Sequence, residues 1–307
     1  MACPATTPSA ACFGCLILPP SVRLSGAFLD DLGEDGAGVP AIDGKTLRRS
    51  FDRAAGRSAL HVVTAFGAGA KLVIGQRAVP AGGNEITAAR MLLETLALQG
   101  LMVTGDAIHC QAATADIILA KGGDYLLALK GNHPLLLAEV ATFFASPPHA
   151  LQSHTTTDAD HGRIETRHHR VSHDVEWLFS DRRYKGEPVM PGLATLACVT
   201  ATREMDGKTT NATRYYFSSA RLTPERFATV VRAHWAIENS LHWVLDVTFD
   251  EDRARNRKDH GPENLATLRK ITLNLLRTAR PKLPISRKRK RAGWSDAFAR
   301  SVLGQMR

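Results

Sequence analysis

The sequence has few of the features that mark a secreted, disulfide-bonded or membrane-spanning protein. Its five cysteines are an odd number without framework spacing, which favours a reducing, cytoplasmic setting. No apolar run reaches the roughly 20 residues that span a bilayer. The run at residues 10–18 also lacks the preceding Lys or Arg of a signal peptide. Cys12 and Cys15 form a CxxC pair without a second pair or a histidine partner nearby, so zinc is not expected there.

Negative charge is scarce relative to positive charge. Lys and Arg number 39 against 30 Asp and Glu, which gives a formal net charge of +9 at pH 7. A surplus of this size favours a polyanionic partner, above all nucleic acid. The basic run at 287–291 is expected to be a solvated tail that would add salt-sensitive affinity near DNA. With 307 residues, 44% of them hydrophobic, the chain can form one large domain or two modest ones.

The apolar pattern from residue 38 onwards predicts an α/β fold. Predicted strands lie at 39–43, 60–66, 71–79, 101–104 and 125–129, and predicted helices at 84–100, 111–121 and 134–144. Three antiparallel strands followed by helix, strand, helix and strand is the order of a ribonuclease-H-like mixed sheet with flanking helices. Residues 150–219 break this alternation with β-type runs and predict an inserted, mostly β subdomain. Residues 223–247 predict one amphipathic helix.

Three carboxylates occupy informative positions in this pattern. Asp43 and Asp106 each stand where an apolar strand ends beside a glycine. In the ribonuclease-H-like order the first and fourth strands are neighbours, so these two side chains are expected side by side. Glu238 lies on the predicted helix among apolar neighbours, where a lone acid is rarely buried without a partner. Two strand-end carboxylates and a helix carboxylate are typical of a metal site. On spacing alone, a surface ion pair of Glu238 with Arg232 or a histidine explains the glutamate as well.

Seven motifs follow one another from about residue 39 to the C-terminus. They are IDGKTLR at 42–48, NEI at 84–86, TGDA at 104–107 with CQ at 110–111, GDY at 123–125 with ALKGN at 128–132, HGRIETR at 161–167, YYFSS at 215–219 and HWAIEN at 234–239. This combination resembles the H-repeat-associated group of bacterial insertion-sequence transposases, which belong to the DDE class with a β insertion. The resemblance maps the acidic catalytic triad of that class onto Asp43, Asp106 and Glu238.

The resemblance implies cutting and joining of DNA at element ends by two Mg²⁺ (or Mn²⁺) ions. In-line attack on a phosphodiester needs an activated nucleophile and a stabilised leaving oxygen, and two ions about 3.5–4 Å apart provide both. Mg²⁺ prefers carboxylate oxygens and leaves the rest of its shell to water and phosphate. Asp43 is expected to bridge both ions, Asp106 to hold one and Glu238 the other. The implied partners are the terminal inverted repeats and target DNA, bound by a homo-oligomer at the bacterial nucleoid in the cytoplasm.

Basic and polar residues near the motifs are candidate DNA contacts. They are Lys45, Arg48, Lys130, Asn132, Arg163, Arg167, Arg232, His234 and Asn239. For the first four a solvated turn is an equal alternative, and for the arginines at 163 and 167 the alternative is a cross-strand ion pair. Many insertion-sequence transposases place an Arg four residues before the glutamate and a Lys seven after it. Those positions are His234 and Leu245 here, so Arg232, His234 and Asn239 are the expected substitutes.

The predicted domain division has five segments. Residues 1–37 form a disordered or atypical leader, 38–149 and 220–280 the two parts of the catalytic core, 150–219 the β-rich insertion and 281–307 a basic tail. The leader lacks the helical region that precedes the first aspartate in this group, so a truncated copy is expected.

Two further functions remain open at this stage. One is a catalytically inactive remnant that still binds DNA. The other is an RNA- or ribosome-associated protein, which only the positive charge favours. Clustered acids argue against the latter, because binding a polyanion gains nothing from them.

Overall fold

The computed structural model describes residues 21–23, 38–160, 163–179 and 189–306. Apart from Ser21–Arg23, the predicted leader lies outside these residues. The chain divides into two compact units. The first contains Asp43–Leu96 and Ala236–Arg307, and the second contains Ala97–Trp235 together with the residues that end at Ile42.

The described residues form ten strands and eight α-helices, numbered in chain order. The strands are β1 (Ser21–Arg23), β2 (Pro40–Thr46), β3 (His61–Gly67), β4 (Leu72–Ala78), β5 (Met102–Gly105), β6 (Asp124–Leu129), β7 (Gln152–Asp160), β8 (Arg163–Ser172), β9 (Thr195–Met205) and β10 (Lys208–Ser218). The α-helices are α1 (Glu85–Thr95), α2 (Ala112–Ala120), α3 (Pro134–Ala145), α4 (Pro224–His234), α5 (Trp243–Phe249), α6 (Gly261–Thr278), α7 (Ile285–Trp294) and α8 (Asp296–Leu303). A π-helix, Ile237–His242, lies between α4 and α5.

The first unit contains an antiparallel sheet in which β4 pairs with both β1 and β3. Its helix α6 is tied to β4 by buried polar contacts. The Asn274 side chain accepts a hydrogen bond from Val73 N at 2.9 Å and donates one to Val73 O at 2.8 Å. This amide therefore satisfies both the N–H and the C=O group of Val73 in the interior.

The second unit begins with the N-terminal half of β2 and continues in the strand order β5-β6-β10-β9-β8-β7. Strands β2, β5 and β6 are parallel, and the remaining pairs are antiparallel. Helix α4 begins at the Thr223 cap, whose side chain accepts a hydrogen bond from Arg226 N. Its apolar side covers β8, β9 and β10, where Phe227 packs in one cluster with Val199 and Tyr216.

The connectivity confirms the predicted fold class. A meander of β2, β3 and β4 is followed by α1, β5, α2 and β6, and β2 pairs in parallel with β5. This is a ribonuclease-H-like mixed α/β arrangement. The observed bounds of these elements lie close to the predicted ones because short apolar runs mark the strands and an apolar stripe marks the first helix. Within residues 150–219, for which β-type runs were predicted, Glu176–Phe179 is instead a 3₁₀-helix.

The helix predicted at 223–247 is not one regular α-helix. After α4 the backbone stays right-handed at Trp235 and Ala236, but the hydrogen bonding widens into the π-helix. A π-turn contains more residues than an α-turn and therefore rotates the following side chains. Ile237 and Leu241 are buried, whereas Glu238 is exposed to solvent instead of lying on the apolar side.

The basic run at 287–291 is helical in the structure and not a free tail. It lies in α7, and α7 and α8 pack near the end of α6 through Leu275, Leu276, Ala279, Phe298 and Val302. Lys288 within the run is buried and donates hydrogen bonds to the carbonyls of Leu276 and Ala279. Its ammonium caps carbonyls at the end of α6, where a positive charge is favoured.

Candidate functional site

Asp43 is held by a histidine from the π-helix. The side chain of Asp43 is partly exposed, and its Oδ2 accepts a hydrogen bond from Nε2 of His242 at 3.0 Å. Nδ1 of His242 is buried and has no hydrogen-bond partner among the described residues. His242 is four positions after Glu238 on the same π-helix. One short element therefore carries the candidate glutamate and orients the first candidate aspartate.

The glycine after Asp43 lies close under two polar side chains. A side chain on Gly44 would collide with the carboxylate of Glu85 and the ring of His61. These two side chains hydrogen-bond to each other at 2.7 Å, and the other ring nitrogen of His61 lies 2.7 Å from Oγ1 of Thr46. The Asp-Gly sequence thus lets β2 pass beneath a polar pair formed by β3 and α1.

Lys45 is enclosed by carboxylates. Its ammonium contacts Asp246, lies 3.1 Å from Oε2 of Glu251 and 3.7 Å from Oδ1 of Asp252, and its side chain is only 15% exposed. Three carboxylates already neutralise the charge of Lys45, which limits the ability of its ammonium to bind a phosphate. Arg48 differs, because its side chain is 81% exposed and meets Asp252 only at 3.8 Å.

Asp106 lies in the second unit, directly after β5. Nζ of Lys130 is 3.0 Å and 3.1 Å from its two carboxylate oxygens. The side chains of Lys130 and Asp106 are both about half exposed. The Asn132 amide donates to the Ala107 carbonyl at 2.7 Å. The loop after β6 therefore packs against the turn that contains Asp106. Its residues Lys130 and Asn132, both predicted DNA contacts, bond to that turn.

The predicted triad is placed only in part by the backbone. Ile42 lies opposite Gly105 in the parallel pair of β2 and β5, and each is followed in the chain by a candidate aspartate, Asp43 or Asp106. Glu238 is exposed on the π-helix. Three accessible carboxylates are a donor set that suits Mg²⁺. Within the part of the chain that is described, no three His, Cys, Asp or Glu side chains form a group that could hold a metal ion.

Arginines surround a buried glutamate on β8. The Glu165 side chain is only 3% exposed, and Nε of Arg203 donates to its Oε1 at 3.1 Å. Arg167 and Arg163 approach its Oε2 at 2.9 Å and 3.7 Å. Burial alone would raise the pKa of this carboxyl, but the three arginines outweigh it and hold the pKa below its usual range.

A second carboxylate links this cluster to α4. Oδ2 of Asp158 accepts hydrogen bonds from Arg167 and, at 2.8 Å, from Arg232. The hydrogen bond from Arg167 and the charge of Arg232 lower the pKa of Asp158. At the end of α4, the guanidinium of Arg214 lies 5.1 Å from the centre of the Trp235 ring. Of the predicted contacts, Arg163, Arg167 and Arg232 thus belong to one network.

The remaining candidates on this stretch have different surroundings. His234 Nδ1 lies 3.1 Å from Oγ1 of Thr104, a residue of β5. Asn239 is exposed on the π-helix.

Sequence reasoning missed three residues that the structure brings into these sites. The position of His242, one helical turn after Glu238, was a usable signal. Arg203 and Arg214 gave none, because their roles depend on which strands pair.

Comparisons with known proteins find a matching family and several similar chains. Residues 35–275 match the model of a family described as the transposase DDE domain. The "H repeat-associated putative transposase YhhI" of Escherichia coli strain K12 is 38% identical over 277 residues, which cover 88% of this chain and 72% of that protein. "Putative protein YbfL" of the same strain is 38% identical over 273 residues, or 86% of this chain and 71% of the relative. A solved piggyBac transposase complex with hairpin DNA has a TM-score of 0.46 at 11% identity, covering 87% of this chain and 54% of that one.

Proposed function

Since the chain belongs to the transposase DDE domain family and its H-repeat-associated group, we propose that it cuts and joins phosphodiester bonds at the ends of an insertion sequence. The observation that carries this proposal is the parallel pair of β2 and β5. Its paired residues Ile42 and Gly105 each precede an aspartate. A later helical segment of the matched region supplies a solvent-accessible glutamate.

The proposed catalytic residues are Asp43, Asp106 and Glu238. Together these three carboxylates would hold two Mg²⁺ (or Mn²⁺) ions. Bound ions of this kind supply an activated attacking oxygen and stabilise the leaving oxygen. The protein's own part is to present three accessible carboxylates and to hold the scissile phosphate beside them.

Neighbouring side chains assist these carboxylates. His242 orients Asp43 through its Nε2 hydrogen bond. Lys130 balances the charge of Asp106 and lies where a phosphate oxygen could take the place of that carboxylate as its partner.

The proposed partners are the terminal inverted repeats of the element and target DNA. The two ends must be cut by one assembly, so we expect a homo-oligomer on DNA at the bacterial nucleoid. Among the described residues, no helix is both long and apolar enough to cross a membrane.

The test is nicking of a labelled duplex that carries the element's own ends. Wild type is compared with Asp43→Asn, Asp106→Asn and Glu238→Gln, each with Mg²⁺, Mn²⁺ or EDTA. Glu176→Gln is the matched control, because it neutralises an exposed glutamate in a 3₁₀-helix away from the three acids in sequence. We expect metal-dependent nicking by wild type and the control, and none by the three variants. Cleavage that survives Asp43→Asn would show that the site is misassigned.

A second candidate function is a remnant that binds DNA without cutting it. It is favoured by the contacts of Lys130 with both oxygens of Asp106, at 3.0 Å and 3.1 Å, which occupy that carboxylate. In the same experiment, salt-sensitive binding by wild type without cleavage under any metal condition would select this candidate.

A further inference from the structure

The strand register divides one side of the β7-to-β10 sheet into a covered half and an open half. Side chains directly opposite in paired strands point to the same side of a sheet. Val171, Ala197 and Tyr216 form one such row, and His169 and Val199 belong to the next. Helix α4 covers these rows: the Phe227 ring lies 5.4 Å from Tyr216 and 5.8 Å from His169, measured between ring centres.

Beyond α4 the same side of the sheet is open and rich in arginine. Asp158, Glu165, Arg203 and Thr210 form one row across all four strands. Arg203 and Thr210 are exposed or partly exposed there. We define the arginine face as Arg163, Arg167 and Arg203 of these strands, Arg232 of α4, and Arg214, which lies in the row of Val199 beside Trp235 at the end of α4, together with the carboxylates Glu165 and Asp158. Among these side chains, five positive charges stand against two negative ones.

The two carboxylates fix four of the five arginines in place. Glu165 is buried and contacts Arg163, Arg167 and Arg203, while Asp158 joins Arg167 to Arg232 of α4. Arg167, which bridges both acids, is the least exposed of them, whereas the side chains of Arg163, Arg203 and Arg232 are about half exposed. Each of these three keeps part of its guanidinium open to solvent, so it can accept another anionic partner.

An ion-pair network that served only stability would not need more arginines than carboxylates. One arginine per carboxylate would neutralise the face, and replacing a buried pair with apolar residues is often neutral or stabilising. Here the positive charge exceeds the negative by three. A guanidinium held in one orientation loses less conformational entropy when it binds a phosphate than a mobile one does.

We propose that the arginine face binds the phosphate backbone of duplex DNA, with Glu165 acting as a positioning residue that sets the arginines for it. This inference rests on the proposed function, because it assumes that DNA is the substrate. It adds Arg203, Arg214 and Glu165 to the residues that act on DNA. Contacts of this type position a duplex without reading its sequence.

The test measures DNA binding in EDTA, where metal-dependent cleavage cannot interfere, over a range of salt concentrations. One duplex carries the element's terminal repeat and another a scrambled sequence. Arg163→Ala and Arg203→Ala should each weaken binding to both duplexes alike. Each should also make the negative slope of log K against log salt shallower by about 1. Arg221→Ala, an exposed arginine at the other end of α4, is the control that removes the same charge.

The variant Glu165→Gln distinguishes the positioning of the arginines from the effect of net charge on DNA binding. It removes a negative charge, so charge alone predicts tighter binding to DNA. Loss of the anion that holds three arginines predicts weaker binding, by about fivefold. We expect weaker binding. Because Glu165 is buried, circular dichroism and melting curves must show that this variant is folded; Arg203→Ala tests the face independently if it is not.

The outcomes also separate this inference from the proposed function. If Arg163→Ala and Arg203→Ala bind DNA no worse than Arg221→Ala, or if folded Glu165→Gln binds as tightly as wild type or more tightly, the inference is overturned even where cleavage persists. A chain that binds through the arginine face without any cleavage would support the inference while refuting the catalytic proposal.

Discussion

His242 fixes one oxygen of Asp43, and this contact joins residues 199 positions apart in the chain. A hydrogen bond to one carboxylate oxygen orients the other, and residues that orient a metal-binding side chain affect metal affinity almost as directly as the ligand itself. Because Nδ1 of His242 has no hydrogen-bond partner within the described chain, the ring bonds there only through Nε2, to Asp43.

We expect His242→Ala to raise the Mg²⁺ concentration needed for half-maximal nicking by about 10- to 100-fold. His242→Gln should recover part of the loss, because its amide can still donate to Asp43. The measurement is a Mg²⁺ titration of the nicking rate, with His149→Ala, an exposed histidine, as the control. A lower melting temperature with an unchanged Mg²⁺ titration would mean that His242 has only a structural role.

Helix α8 follows the basic run at 287–291 and is held against α6 by a few apolar side chains. Phe298 is 6% exposed and packs with Leu275, Leu276 and Val302. The guanidinium of Arg291, from the basic run, lies 4.8 Å from the centre of its ring. The run is therefore helical because its apolar neighbours give it a surface to pack on, which a count of its charges does not reveal.

Phe298→Ala should lower the free energy of unfolding by about 3–5 kcal/mol, because it removes a buried aromatic ring and leaves a cavity. Trp294→Ala removes a larger ring that is 74% exposed, so its effect should stay within about 0.5 kcal/mol. Urea titrations of both variants and wild type provide the comparison. Equal effects of the two substitutions would show that α7 and α8 do not pack as described.

Across the whole molecule, stability should depend on pH through a buried lysine. Lys270 is 3% exposed, and its ammonium donates to Oε1 of Gln76 at 2.7 Å. Burial lowers the pKa of Lys270 from 10.5 to about 8, against the opposing influence of Glu251. Below pH 8 both the folded and the unfolded state hold this proton. Between about pH 8 and 10.5 the unfolded state holds a proton that the folded state has lost, so stability rises with pH in that window.

The stability of wild type relative to Lys270→Met should therefore increase by about 2 kcal/mol between pH 8 and pH 10. The measurement is the free energy of unfolding in urea at several pH values. Other lysines and the tyrosines titrate in both proteins and cancel in the difference. A difference that stays constant over this range would contradict the lowered pKa of Lys270.

The sequence by itself determined the family, the strand order of the mixed sheet and the place of Asp106 directly after its strand. These features follow from local patterns, because apolar runs and glycines record burial and turns along the chain. The prediction that Asp43 ends its strand was wrong, because β2 continues to Thr46. The same patterns predicted that Glu238 lies on a helical segment. The matched family and the observed connectivity confirm the first two, and the catalytic roles stay predictions.

Only the tertiary structure decided which partners these residues have. Lys45 meets Glu251 across 206 positions, and Arg203 meets Glu165 because β8 and β9 pair in one register. The π-helix turned Glu238 towards solvent, and α6 gave the basic segment near the C-terminus a surface to pack on. Periodicity reports which side of an element is buried, but contacts between distant residues depend on strand register and helix packing, which no local pattern encodes.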